Sequence, residues 1–283
     1  MLNIYFESDK EVIHFCESLF SYNKQIELKW KTHVDWGNHL QFNEIVINLE
    51  TGEALGKSMV DVFVRYRLSN EIKKVIKEKY YYTNSDEIEQ ILGLTYSIIK
   101  GNNDHEKLGK DLIPLELLYS LFMEDLLNTS TIHYDSIVKF RLNEFKEQLL
   151  DSVGLAIDEF KLEEDHQDFV DILRKYIANK KSTYSEIHIL QGTEFSFFKS
   201  NGDRFSKMEL RRIMYKEPLY IVGLDVDELN LAPLIAIAPH KINIYGDNPS
   251  EPKTLTVINV FQERVVFEPF SHFPFPHALD HYK

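Results

Sequence analysis

A single cysteine, Cys16, stands among 283 residues. No disulfide can close within the chain, and a reducing compartment is its natural setting. Basic side chains are in deficit: 32 Lys and Arg face 45 Asp and Glu, for a net charge of −13. That balance argues against a broad nucleic-acid footprint, which draws on clustered cations, while leaving room for a local patch. Long apolar runs are missing as well. The longest charge-free one, Leu229–Pro239, falls far short of the ~20 residues a membrane-spanning helix needs. The first residues carry Glu7, Asp9 and Glu11 and no positive stretch, so they do not read as a signal peptide. A cytoplasmic protein is expected. No internal repeat and no Gly-x-Ser-x-Gly elbow occurs.

What is present is the composition of a globular chain, 43% hydrophobic and 27% charged, long enough for roughly two domains. The start reads as a β-α-β-β unit over 1–57. Leu2–Phe6 alternates, Ser8 is a good N-cap, and Val12, Phe15, Leu19 and Tyr22 follow at helical spacing. Ile26–Lys31 alternates again, and Gly37-Asn38 predicts a turn before a strand over Phe42–Leu49.

Residues 58–181 read as helical. Asn84 and Glu87 form a capping-box pattern before a helix reaching Lys100, Gly101–Asp104 breaks the chain, and Leu112–Leu127 is helical with Pro114 in its first turn. The clearest pattern lies in Asp135–Phe160, where Val138, Leu142, Phe145, Leu149, Val153, Ala156 and Phe160 step 4-3-4-4-3-4. That spacing puts them in one stripe of a single helix. A shorter helix carries Phe169, Val170, Leu173 and Ile177.

Beyond Lys180, residues 182–270 read as a mixed α/β unit, with a tail over 271–283. Strands are expected at Glu186–Leu190, Phe195–Lys199, Leu219–Leu224, Lys241–Tyr245 and Arg264–Glu268. Helices are expected over Asp227–Ala238 and after Ser250. A hairpin joined to parallel strands makes a mixed sheet. The fold class is therefore α+β, and the units can pack as one domain.

Candidate chemistry is sparse. Thr51–Ser58 approaches a phosphate-binding loop, with Gly52, Gly56, Lys57 and Ser58 as its candidate residues. Only three residues separate Gly52 from Gly56 where such a loop needs four, so a strand-to-helix turn is the better reading. His272, His277 and His281 are of a metal-binding type, but spacings of five and four build no closed site. His33 and His39, near Trp36, are similarly scattered. The acidic run holding Glu163, Glu164, Asp165 and Asp168 reads as a solvated helix face that a protein partner could meet. Arg211-Arg212, with Lys207, Lys216 and Tyr215, is a modest basic cluster. Cys16 sits in an amphipathic helix, unsuited to nucleophilic work. No catalytic residue and no cofactor is assigned. Residues 101–181 carry −7 of the net charge, against −3 on each side.

Phe140-Arg141-Leu142, Ala156-Ile157-Asp158-Glu159-Phe160 and Asp168–Tyr176 follow one another, and then the strand Glu186–Ile189. Upstream stands Lys79-Tyr80-Tyr81-Tyr82-Thr83-Asn84; downstream stand Leu234–Ile242 and Arg264–Phe267. This order resembles the YtxC-like family, sporulation proteins of endospore-forming bacteria, over about residues 58 to 268. The resemblance implies a sporulation-associated cytoplasmic protein and brings no catalytic motif. The expectation is a non-catalytic binding or scaffold protein with a protein partner. The alternative is a nucleotide-dependent switch or enzyme using Gly52–Ser58.

Overall fold

Leu2, Ile4 and Phe6 alternate with Asn3 and Tyr5, so β1 (Leu2–Phe6) buries one side and shows the other. It belongs to a computed structural model that describes residues 1–33, 37–43, 49–101 and 114–279. The chain divides into two units, Met1–Leu162 and Glu163–Lys283.

In the first unit β1 leads into α1 (Asp9–Tyr22), then β2 (Leu28–His33) and β3 (Gly37–Phe42). β3 lies antiparallel between β1 and β2. The β-α-β-β expectation holds, but the third strand starts where a turn was expected. Asn38 is buried, donating to the Asp9 carboxylate at 2.7 Å and accepting from the Trp30 indole at 2.9 Å. Its amide is thereby committed inward and unavailable to close a turn. Gly37 has φ +68°, and a Cβ there would sit 2.5 Å from the Phe6 carbonyl oxygen. The expected strand's positions 44–48 lie outside the described residues.

Helices follow: α2 (Leu49–Tyr66), α3 (Leu68–Lys79), α4 (Ser85–Ile99) and α5 (Pro114–Asn128). The Asn84 side chain caps α4 by accepting from the Asp86 amide at 2.8 Å. An unexpected three-residue strand, β4 (Thr131–His133), joins the open edge of β1 in parallel and completes the order β2-β3-β1-β4. The long helix expected over 135–160 is divided: α6 (Tyr134–Phe140) ends at Arg141, and α7 (Asn143–Ala178) then runs 36 residues. Buried Leu142 separates them, and its carbonyl accepts the Lys146 amide at 2.9 Å. The shorter helix around Phe169–Ile177 is the end of α7, because 161–168 contain neither Gly nor Pro to stop it.

All seven residues of the 4-3-4-4-3-4 stripe are buried in the first unit's core. They join the inner face of the sheet, α1 and α2; the Phe63 and Phe145 rings meet edge to face at 5.3 Å. Each of these apart from Ala156 contributes about 1.5–3 kcal/mol.

The second unit is built on β5 (Glu186–Leu190), β6 (Ser196–Lys199), β7 (Lys241–Gly246) and β8 (Val265–Pro269), in the order β6-β5-β7-β8. β5 and β6 form the expected hairpin, while β5, β7 and β8 run parallel. Ile187, Ile189, Ile242 and Ile244 share one buried cluster with Val170, Leu173 and Ile177 of α7. The remaining helices are α8 (Lys207–Met214), α9 (Ala232–Ile237) and α10 (Pro252–Phe261).

Two expectations fail here. Leu219–Val222 is a single 3₁₀ turn, not a strand, entered after Pro218 and closed by Gly223 at φ +73°. Asp227–Leu231 precedes rather than joins α9, because the Glu228 carboxylate accepts from the Leu231 and Ala232 amides at 2.8 and 2.6 Å and so caps the helix.

Candidate functional site

Residues 52–58 lie inside α2, so the expected strand-to-helix turn is helix instead. The Ser58 hydroxyl donates to the Ala54 carbonyl at 2.7 Å. Exposed Lys57 pairs with Glu53 one turn earlier at 3.4 Å. Gly56 permits a close approach between helices: a Cβ there would come within 2.7 Å of the Met123 sulfur and 2.9 Å of the Tyr119 ring. Successive amides that bond within a helix do not converge on one anion.

Other candidates are scattered. His272 is 3.3 Å from Glu268, His277 sits on a separate single turn, and His281 lies outside the described residues. No group of three His, Cys, Asp or Glu is placed to hold a metal ion among the described residues. Glu163, Glu164, Asp165 and Asp168 are all exposed on α7, with Glu163 accepting from the Gln167 amide at 2.9 Å. Arg211 pairs with Asp227 and Lys207 with Glu194, while Tyr215 is exposed. Buried Cys16 has its thiol pushed up to about 11, first by burial and then by Glu17, which disfavours the nucleophilic thiolate.

A cavity lies instead in the second unit, where the β5–β6 hairpin faces α8. It has about 780 Å³ of space, within the range typical of ligand clefts. Leu190, Phe195, Phe197, Phe205, Leu210 and Leu229 give it apolar walls. Arg204 and Lys207 bring cationic groups: Arg204 donates to the Ser196 hydroxyl at 3.2 Å, and Lys207 holds Glu194 at 2.7 Å. The ammonium of Lys207 keeps the Glu194 carboxyl below its usual range.

The cleft's loop, 191–194, is fixed at several points. The Gln191 amide donates to the Asn248 carbonyl at 2.6 Å and the Thr254 hydroxyl at 2.8 Å. Its oxygen accepts from the Asp247 and Asn248 amides at 3.2 and 3.1 Å. Lys253 donates to the Gly192 and Thr193 carbonyls, each at 2.6 Å. Asn230 accepts from the Phe195 amide at 2.9 Å. The loop follows the carboxyl end of β5, where ligands of open parallel sheets gather.

A second group lies on the sheet face opposite the isoleucines. His188 Nδ1 is 3.1 Å from the Tyr245 hydroxyl, and Asn243 donates to Glu186 at 2.7 Å. Phe275 stands edge-on to the His188 ring at 5.1 Å. Burial lowers the His188 pKa, with neighbouring Glu186 opposing and Lys241 adding to the shift.

Sequence reasoning identified neither group. Leu190 and Leu229 read separately as strand and helix residues, and only pairing joins His188 to Tyr245. Alternation in β5 and β7 could have placed His188, Asn243 and Tyr245 on one face.

Residues 53–266 match the YtxC-like family. The uncharacterized protein YtxC of Bacillus subtilis (strain 168) is 33% identical over 223 residues, 76% of each chain. No solved structure matches. No described helix is long and apolar enough to cross a membrane.

Proposed function

The chain belongs to the YtxC-like family, and on that premise we propose that it is a non-catalytic binding protein of the cytoplasm, serving sporulation by holding a segment of a protein partner. The preformed 780 Å³ cleft supports this reading most directly. Its aromatic and aliphatic walls suit a large apolar side chain, and Arg204 and Lys207 suit an acidic neighbour of that side chain. A loop pinned through Gln191, Lys253 and Asn230 spends little ordering entropy on binding. The exposed acids Glu163, Glu164, Asp165 and Asp168 are proposed as a further contact, attractive to a basic part of the partner.

Affinity purification from sporulating cells tests this, with the native chain beside Arg204→Glu/Lys207→Glu and Glu163→Lys/Asp168→Lys variants. The expected result is loss of a discrete partner with the first variant and weakened recovery with the second. Identical recovery by all three contradicts the proposal. Deletion with timed localisation tests the sporulation role, and unchanged spore yield argues against it.

A further inference from the structure

The first unit's sheet buries one side only. Its other side carries Asn3 and Tyr5 from β1, Lys29, Lys31 and His33 from β2, Gly37, His39 and Gln41 from β3, and Thr131 and His133 from β4. No carboxylate occupies a strand position on this face. In a chain of net charge −13, that segregation sets the face apart. Register aligns the side chains into rows across the sheet, Lys31–His39–Tyr5–His133 and Lys29–Gln41–Asn3–Thr131.

The rings of the first row are stacked. Tyr5 lies 4.5 Å from His39 at an interplanar angle of 3°, and 4.7 Å from His133 at 13°. The His33 ring is 6.2 Å from that of His39. His39 Nε2 is 2.9 Å from the Asn3 side-chain oxygen, which fixes its ring. Lys29, Lys31, His33 and His133 are exposed, and neither lysine has an ion-pair partner among the described residues. The His39 pKa is lowered, first by burial and then by His33 and Lys31, as expected on a face where cations crowd.

We propose that this open sheet face binds single-stranded nucleic acid, with Lys29, Lys31 and His33 meeting phosphates and the free ring face of His133, at the edge-strand end of the stacked row, receiving a base. Four strands at about 4.8 Å spacing and five residues at about 3.3 Å make a platform of roughly 14 by 17 Å. Charge complementarity selects the occupant: Lys29 and Lys31 beside flat rings, with no carboxylate at a described strand position of the face, match a chain of phosphates and bases. The acidic remainder of the protein confines binding to this patch.

The test is fluorescence anisotropy of the full chain with labelled 12-mers of oligo(U) and oligo(dT), against a glutamate-rich 12-mer peptide, across a salt series. At pH 8 two lysines predict a log–log salt slope of about −1.4, at about −0.7 per phosphate neutralised on a single strand. Lys29→Gln/Lys31→Gln is expected to weaken binding at least tenfold and to flatten the salt slope, at exposed positions that leave the thermal transition in place. Preference for oligo(U) over oligo(dT) identifies RNA as the source, and the reverse identifies DNA. Absence of binding at 50 mM salt overturns the proposal. So does affinity unchanged by the lysine variants, or equal affinity for the glutamate-rich peptide.

Discussion

Gly246 ends β7 against the side chain that fixes the cleft loop. A Cβ built there would lie 2.2 Å from Gln191 Oε1, 2.6 Å from its Cβ and 2.8 Å from its Cδ. Rotating the amide away relieves the first and last clashes but leaves the second. In Gly246→Ala the Gln191 side chain must therefore withdraw and surrender its four hydrogen bonds. At a net value of about 1 kcal/mol each the loss is about 4 kcal/mol. Alanine's reduced freedom in the unfolded chain offsets about 0.4–1 kcal/mol, and water recovers part of the bonding at this exposed edge. A loss of about 2–3 kcal/mol remains. Both tryptophans, Trp30 and Trp36, precede residue 163, so tryptophan emission does not report this unit. Native-state hydrogen exchange at the Asp247 and Asn248 amides does. Protection is expected to fall about 30–150-fold, at about 1.4 kcal/mol per tenfold. In a Gln191→Gly background, which removes every clashing atom, Gly246→Ala is expected to cost under about 0.5 kcal/mol. An equal cost in both backgrounds refutes the steric reasoning.

Burial of His188 carries a pH signature. Its folded pKa is lowered, so the unfolded chain binds a proton that the folded chain refuses, and stability falls as pH drops below about 6.5. Denaturation midpoints at pH 7.5 and 5.5 should differ more for the native chain than for His188→Gln; equal differences contradict it. Glu186, whose pKa is lowered by Asn243 and then Lys241, loses its contribution only near or below pH 4.5 and does not mask this window. Arg67 donates to buried Glu11 at 2.5 and 2.7 Å and to Asp135 at 2.7 Å, so Arg67→Met should cost about 3–5 kcal/mol by chemical denaturation. Gly56→Leu should cost about 1–3 kcal/mol by overpacking against Met123 and Tyr119, recovered in part by Met123→Ala. Cys16, with its thiol pushed up to about 11, should resist a thiol reagent at pH 8 in the native protein and react at once in urea.

Periodicity carried most of the fold. The stripe from Val138 to Phe160 is legible because one helix buries one face, and β5 through β8 are legible because short apolar runs alternate or stand between turn residues. Failures came where local signals have two readings. Gly52 and Gly56 look like loop residues, yet Gly56 serves a close approach of two helices, which only the partner helix reveals. Leu219–Val222 has the composition of a buried strand but is framed by Pro218 and Gly223, which close it as a single turn. Asn38 beside Gly37 signals a turn until Asp9 and Trp30 claim its side chain. The cleft could not be seen beforehand, since its walls come from separated stretches between Leu190 and Phe270. His33 and His39 looked scattered because the strands that align them with Tyr5 and His133 include the unanticipated Thr131–His133.

Photocrosslinking from Leu229, inside the cleft wall, tests the central claim most directly. With a photoreactive residue there, sporulating cells should yield one discrete protein adduct that disappears in the Arg204→Glu/Lys207→Glu background. An adduct that persists unchanged in that background, or none at any stage of sporulation, contradicts a binding role for the cleft.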